Sequence, residues 1–117
     1  MQTPVDVKAL VLEALSDRKA RDIVALDVTE ITTIADHMIL GSGTSDRHVK
    51  SIAEHVVQIL RDHGVKAGGV EGADLGEWVL VDIGDVIVHV MQPRVREFYN
   101  LEKLWGINEE LQAVIEH

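Results

Sequence analysis

Apolar side chains recur along the first segment at helical spacing. Val7, Leu10, Val11, Ala14 and Leu15 follow an i, i+3, i+4, i+7, i+8 pattern and share one stripe. Thr3 is placed to cap this helix, with Pro4 at its first position and Asp6 in its first turn. Arg18 and Lys19 suit the negative end of its dipole. A second stripe, Val49, Ile52, Ala53, Val56, Val57 and Leu60, predicts a helix over Asp46–Asp62. Thr44 or Ser45 can cap it, and Gly64 stands where a C-terminal cap belongs.

The remaining apolar runs are strand-like. Ile23-Val24-Ala25-Leu26 opens a strand to Val28 and is apolar at successive positions, as expected where both faces are covered. His37-Met38-Ile39-Leu40 is the next, and Lys66–Val70 reads as a short strand among glycines. Glu77–Asp82 and Asp85–Met91 form two strong strands joined at Ile83-Gly84, a hairpin, with Pro93 ending the second. Arg96–Trp105 reads as a short helix or turn with Phe98, Leu101 and Trp105 on one side. The order predicts an α/β fold: a mixed sheet of about five strands with the two long helices packed on one face. Residues 1–106 form the expected single domain, and 107–117 a C-terminal tail.

Composition narrows the function. The 117 residues are 46% hydrophobic, sufficient for a core, and contain no cysteine for a disulfide or thiolate metal site. No apolar run approaches the ~20 residues that cross a bilayer. No basic segment precedes an apolar run near Met1, so a cytoplasmic protein is expected. Twenty acids against 11 bases, net −9, disfavour a general nucleic-acid binder, because phosphate backbones are held by clustered Lys and Arg. Such acidity serves solubility, or docking on a basic protein surface.

The candidate chemistry is sparse. Gly41-Ser42-Gly43 before a helix has the outline of a phosphate cradle, but Asp46 stands where a dinucleotide fingerprint has its third glycine, and no Gly-Lys-Ser/Thr follows. A turn with a helix cap is the favoured reading. Asp36, Asp46, Asp82 and Asp85 could be magnesium ligands, yet no Asp-x-Asp or Asp-x-Glu pair follows the turn, and Asp82 and Asp85 flank a glycine turn where Asp bonds its own backbone. His48 and His55 are seven apart, too far for a helical metal pair, and His37 and His89 read as satisfied structural histidines. No metal or cofactor is expected. Of four Phe, Tyr and Trp residues, Phe98, Tyr99 and Trp105 cluster and Trp78 begins the hairpin. Such residues either anchor the last helix to the sheet or form an adhesive patch.

Three stretches taken together resemble one family. They are Ala35–Val49; Glu71-Gly72 with Trp78–Val90; and Arg96–Trp105. They are similar, in order and separation, to the signatures of the ribosomal silencing factor, or Iojap, family. His48 stands where that family often has Gln, Met91 where it often has Phe, and Leu40-Gly41 replaces a commoner small pair. The resemblance implies a nucleotidyltransferase-like outline without catalytic acids. It implies a non-enzymatic, often homodimeric, protein that binds the fourteenth large-subunit ribosomal protein. There it blocks joining with the small subunit and represses translation when nutrients are scarce. Period and residue type then nominate Trp78, Leu80, His89 and Met91 on adjacent strands, extended by Tyr99, Leu101 and Trp105. Asp82, Glu97 and Glu102 are nominated to pair with basic residues of the partner. The rival expectation is a divergent nucleotidyltransferase binding nucleotide at Gly41–Asp46.

Overall fold

The computed structural model describes residues 6–99. Helix α1 (Val7–Asp17) leads to β1 (Arg21–Asp27) and β2 (His37–Ser42). Helix α2 (Asp46–Asp62) follows, then β3 (Gly69–Glu71), β4 (Trp78–Asp82), β5 (Val86–Met91) and α3 (Pro93–Tyr99). The five strands form one mixed sheet in the order β1-β2-β5-β4-β3. Only β2 and β5 are parallel; every other neighbouring pair is antiparallel.

The two stripes read from the sequence are the faces the helices bury. Val11, Ala14 and Leu15 of α1 and Val49, Ile52, Ala53, Val56 and Leu60 of α2 pack with Ile39, Val79, Val81, Val86, Val88 and Val90 of the sheet. Both long helices therefore lie on one face. The cap of α1 differs from expectation: it is Asp6, whose carboxylate accepts from Ala9 N at 3.0 Å, while Thr3 and Pro4 lie outside the described residues. An ionised side chain three residues before an open backbone N–H satisfies it directly. Ser45 caps α2, accepting from His48 N, and Gly64 closes it at φ 79°, a left-handed angle that suits glycine.

Two strand expectations and one helix bound are corrected. The run at Ile23 sits on an edge strand, and in β1 only Leu26 is buried; the strands covered on both faces are the central β2 and β5. A register irregularity between Arg21 and Val24, with Asp22 at φ 50°, turns the start of β1 out of the ladder. The short strand is Gly69–Glu71 and not Lys66–Val70, because its partners are Asp82, Val81 and Leu80 on β4. Pro93 follows the end of β5 as expected, but the helix begins there and not at Arg96, which fits a residue with fixed φ and no N–H at a first helical position.

Gly43 explains how α2 comes so close to the sheet. A Cβ there would lie 2.7 Å from Val49 Cγ2 and 2.9 Å from Val49 N. Gly43→Ala is therefore expected to destabilise the fold by about 1–3 kcal/mol through overpacking. Urea unfolding checks this, and native stability in the variant would refute the close-packing role.

Candidate docking face

The face of the sheet away from α1 and α2 is only partly covered. Residues of alternate parity on each strand point to it. Leu26 of β1, Met38 and Leu40 of β2, Met91 of β5, Val28 and Val95 form a second buried cluster. Val95 belongs to α3, and its neighbour Arg96 donates from Nη1 to Ser42 Oγ at 2.9 Å. Helix α3 thus closes the end of the face over β2 and β5. Its Phe98 is 80% exposed, so the anchoring role considered for it is not what the fold uses.

Among the described residues the cover stops at β5. Trp78 of β4 leans on the second cluster but stays half-buried. Leu80 and Ile87 are half-buried and belong to neither core cluster. Asp82 pairs in register with Ile87, and Leu80 with His89 on one side and Glu71 on the other. Asp82 and Glu71 are exposed. The result is an apolar strip, Trp78, Leu80 and Ile87, edged by carboxylates.

The structure brings the nominated sheet residues Trp78, Leu80, Asp82, His89 and Met91 onto this single face and separates them by depth. Met91 is fully buried and His89 is 5% exposed, so both lie beneath the surface that a partner touches. Glu97 is exposed on α3. Leu101, Glu102, Trp105 and the Tyr99 side chain lie outside the described residues. Ile87 and Glu71 were missed by the sequence reading. The signal for Ile87 was present, since it shares parity with His89 two residues on.

His89 is not a fully satisfied histidine. Its Nδ1 accepts from the Trp78 indole Nε1 at 2.9 Å, which puts the proton of the neutral ring on Nε2. Among the described residues that buried Nε2 has no hydrogen-bond partner. Burial pushes the imidazole down to about 4, so it is neutral near pH 7.

The glycine turn is engaged within the protein. Gly43 N–H donates to the Met91 carbonyl and Thr44 N–H to His48 Nδ1, leaving His48 Nε2–H for the Arg18 carbonyl at 2.7 Å. Asp82 accepts from Gly84 N across the hairpin, as its position beside a glycine suggests. His55 pairs with Asp17 at 3.1 Å. Among the described residues no group of three or more His, Asp or Glu is placed to hold a metal ion. Nor is any helix there long and apolar enough to cross a membrane.

The depressed His89 value makes stability depend on pH. The unfolded ring binds a proton below about 6.5, whereas the folded one resists it until about 4. The stabilisation is complete above the unfolded value and is lost as pH falls through this window. The unfolding free energy of the native chain relative to His89→Leu is expected to drop by about 3 kcal/mol between pH 7 and pH 4. Urea unfolding at both pH values measures it, and a constant difference would mean that His89 titrates normally.

Comparison with known proteins agrees with this architecture. The family described as "Ribosomal silencing factor during starvation" matches residues 2–117. A ribosomal silencing factor of Chromobacterium violaceum is 48% identical over 101 residues, covering 86% of this chain and 83% of that protein. One of Bacillus subtilis is 44% identical, covering 80% and 79%. A crystal structure of a Chromobacterium violaceum protein superposes with a TM-score of 0.85 at 48% identity, covering 86% of this chain and 84% of that one. With the family matching nearly every residue, and two relatives above 40% identity over most of their own length, the chain belongs to the ribosomal silencing factor family.

Proposed function

We propose that this protein represses translation by docking its β4–β5 face on the large ribosomal subunit, at the fourteenth large-subunit ribosomal protein, where it excludes the small subunit. The observation that carries the proposal is the half-exposed strip of Trp78, Leu80 and Ile87 on a sheet face that α3 leaves open. Apolar side chains left half-exposed together are a docking feature, and aromatic anchors carry much of an interface's energy. Ribosomal proteins are basic. Asp82, Glu71 and Glu97 therefore give complementary charge at the rim, within a chain of net −9. Tyr99, Leu101, Glu102 and Trp105, nominated from the sequence, belong to the same proposal as further contacts with the partner.

The mechanism is occupancy and needs no bond to be made or broken. The turn that a nucleotidyltransferase would use commits its Gly43, Thr44 and His48 N–H groups to protein acceptors. Cytoplasmic residence follows from the target.

Sedimentation with isolated subunits, followed by a subunit-joining assay, tests the proposal. The protein is expected to travel with free large subunits and to prevent their pairing with small ones. Trp78→Ala is expected to weaken binding about 30-fold, roughly 2 kcal/mol, while the fold persists. Native affinity in that variant would remove Trp78 from the interface. Large subunits that are saturated with protein yet still pair would end the exclusion mechanism. Calorimetric heat with ATP and magnesium would favour an enzyme instead.

A further inference from the structure

Trp78 carries a single hydrogen-bond donor, the indole Nε1–H. On an open sheet face that donor would ordinarily reach water or a partner. Here it is turned inward to His89 Nδ1 at 2.9 Å, with the ring centroids 5.8 Å apart and the planes tilted by 46°. The acceptor is rigid. His89 lies on central β5, in register with Leu40 of β2 on one side and Leu80 of β4 on the other. With Nε1 engaged below the surface, the part of Trp78 that reaches outward is ring carbon.

The histidine is costly to bury. Its Nε2 is buried without a hydrogen-bond partner among the described residues, and an unsatisfied buried donor is destabilising. A leucine or phenylalanine in the same place, between Leu40 and Leu80, would remove the unpaired Nε2 but also the acceptor of the Trp78 indole. The fold tolerates the imidazole at the position whose other nitrogen holds the half-buried Trp78 ring.

We infer that His89 is a positioning residue that locks the Trp78 indole on the docking face, so that the partner receives this side chain in an apolar pocket and supplies no acceptor for its N–H. The inference rests on the docking face proposed above. It makes His89 act through Trp78 and not by touching the partner.

The test compares His89→Leu, which removes the acceptor, with His89→Asn, whose Oδ1 falls near the Nδ1 position. His89→Phe keeps a ring of similar size without an acceptor and replaces the Leu variant if that chain does not fold. Binding to isolated large subunits is expected to weaken about tenfold in the Leu variant and to stay within about threefold of native in the Asn variant. The Trp78 indole N–H resonance is expected to move in the first and hold its position in the second. In a Trp78→Ala background, His89→Leu is expected to cost nothing further, since the two residues act as one unit.

Native affinity in His89→Leu with a shifted indole resonance would overturn the inference. So would losses that add in full in the double variant, because His89 would then contact the partner itself. A folded Asn variant as weak as Leu would also overturn it. Native affinity in Trp78→Ala strikes the docking face as a whole, whereas a weak Trp78→Ala beside a normal His89→Leu removes this inference alone.

Discussion

The parallel pairing of β2 with β5 runs through the middle of the sheet, and both faces of that pair have to be kept from water. One face is covered by α1 and α2, whose stripes bury valine and isoleucine from β2, β4 and β5. The other receives a thinner cover: Val28 after β1 and Val95 of α3 close over Leu26, Met38, Leu40 and Met91. Among the described residues that second cover reaches β5 and goes no further. The β4 side of the same face is what remains, and its half-exposed Trp78, Leu80 and Ile87 follow from where the covering elements end.

The boundary between covered and open surface falls at His89. Burial keeps the ring neutral, and neutrality keeps Nδ1 available to accept from the indole. A protonated ring would carry N–H on both nitrogens, and the contact with Trp78 would become donor against donor. Negative charge is kept outside, on Asp82 and Glu71, where water solvates it. This division suits a docking surface on a basic partner. Rim charges steer and orient the encounter, while desolvated carbon gives the complex its lifetime.

The turn between β2 and α2 shows how a shared outline can serve different chemistry. Gly41-Ser42-Gly43 ahead of a helix is the local shape of many anion cradles. In this fold the same residues are structural. Gly43 lets Val49 approach the sheet, its N–H joins the end of β5, and Ser42 receives the guanidinium of Arg96 from α3. The turn ties together three elements and leaves its backbone donors engaged.

The sequence by itself determined the two helical stripes, the alternation along β4 and β5 and the hairpin at Ile83-Gly84. These rest on the 3.6 and 2.0 residue periods, which are local properties of the chain. It also determined that Trp78 and Leu80, and His89 and Met91, can each share one face, since parity suffices for that. Parity is silent about cover. Only the tertiary structure decided that Met91 and His89 lie beneath Val95 and Trp78 while Leu80 and Ile87 stay half-exposed, because cover depends on how α3 folds back toward β2 and how the chain after β1 packs on the sheet, which are non-local contacts. For the same reason the apolar run at Ile23 became an edge strand and His37–Ser42 a central one. An apolar run reports that burial suits a segment, and strand order, which depends on non-local pairing, settles which segments receive it.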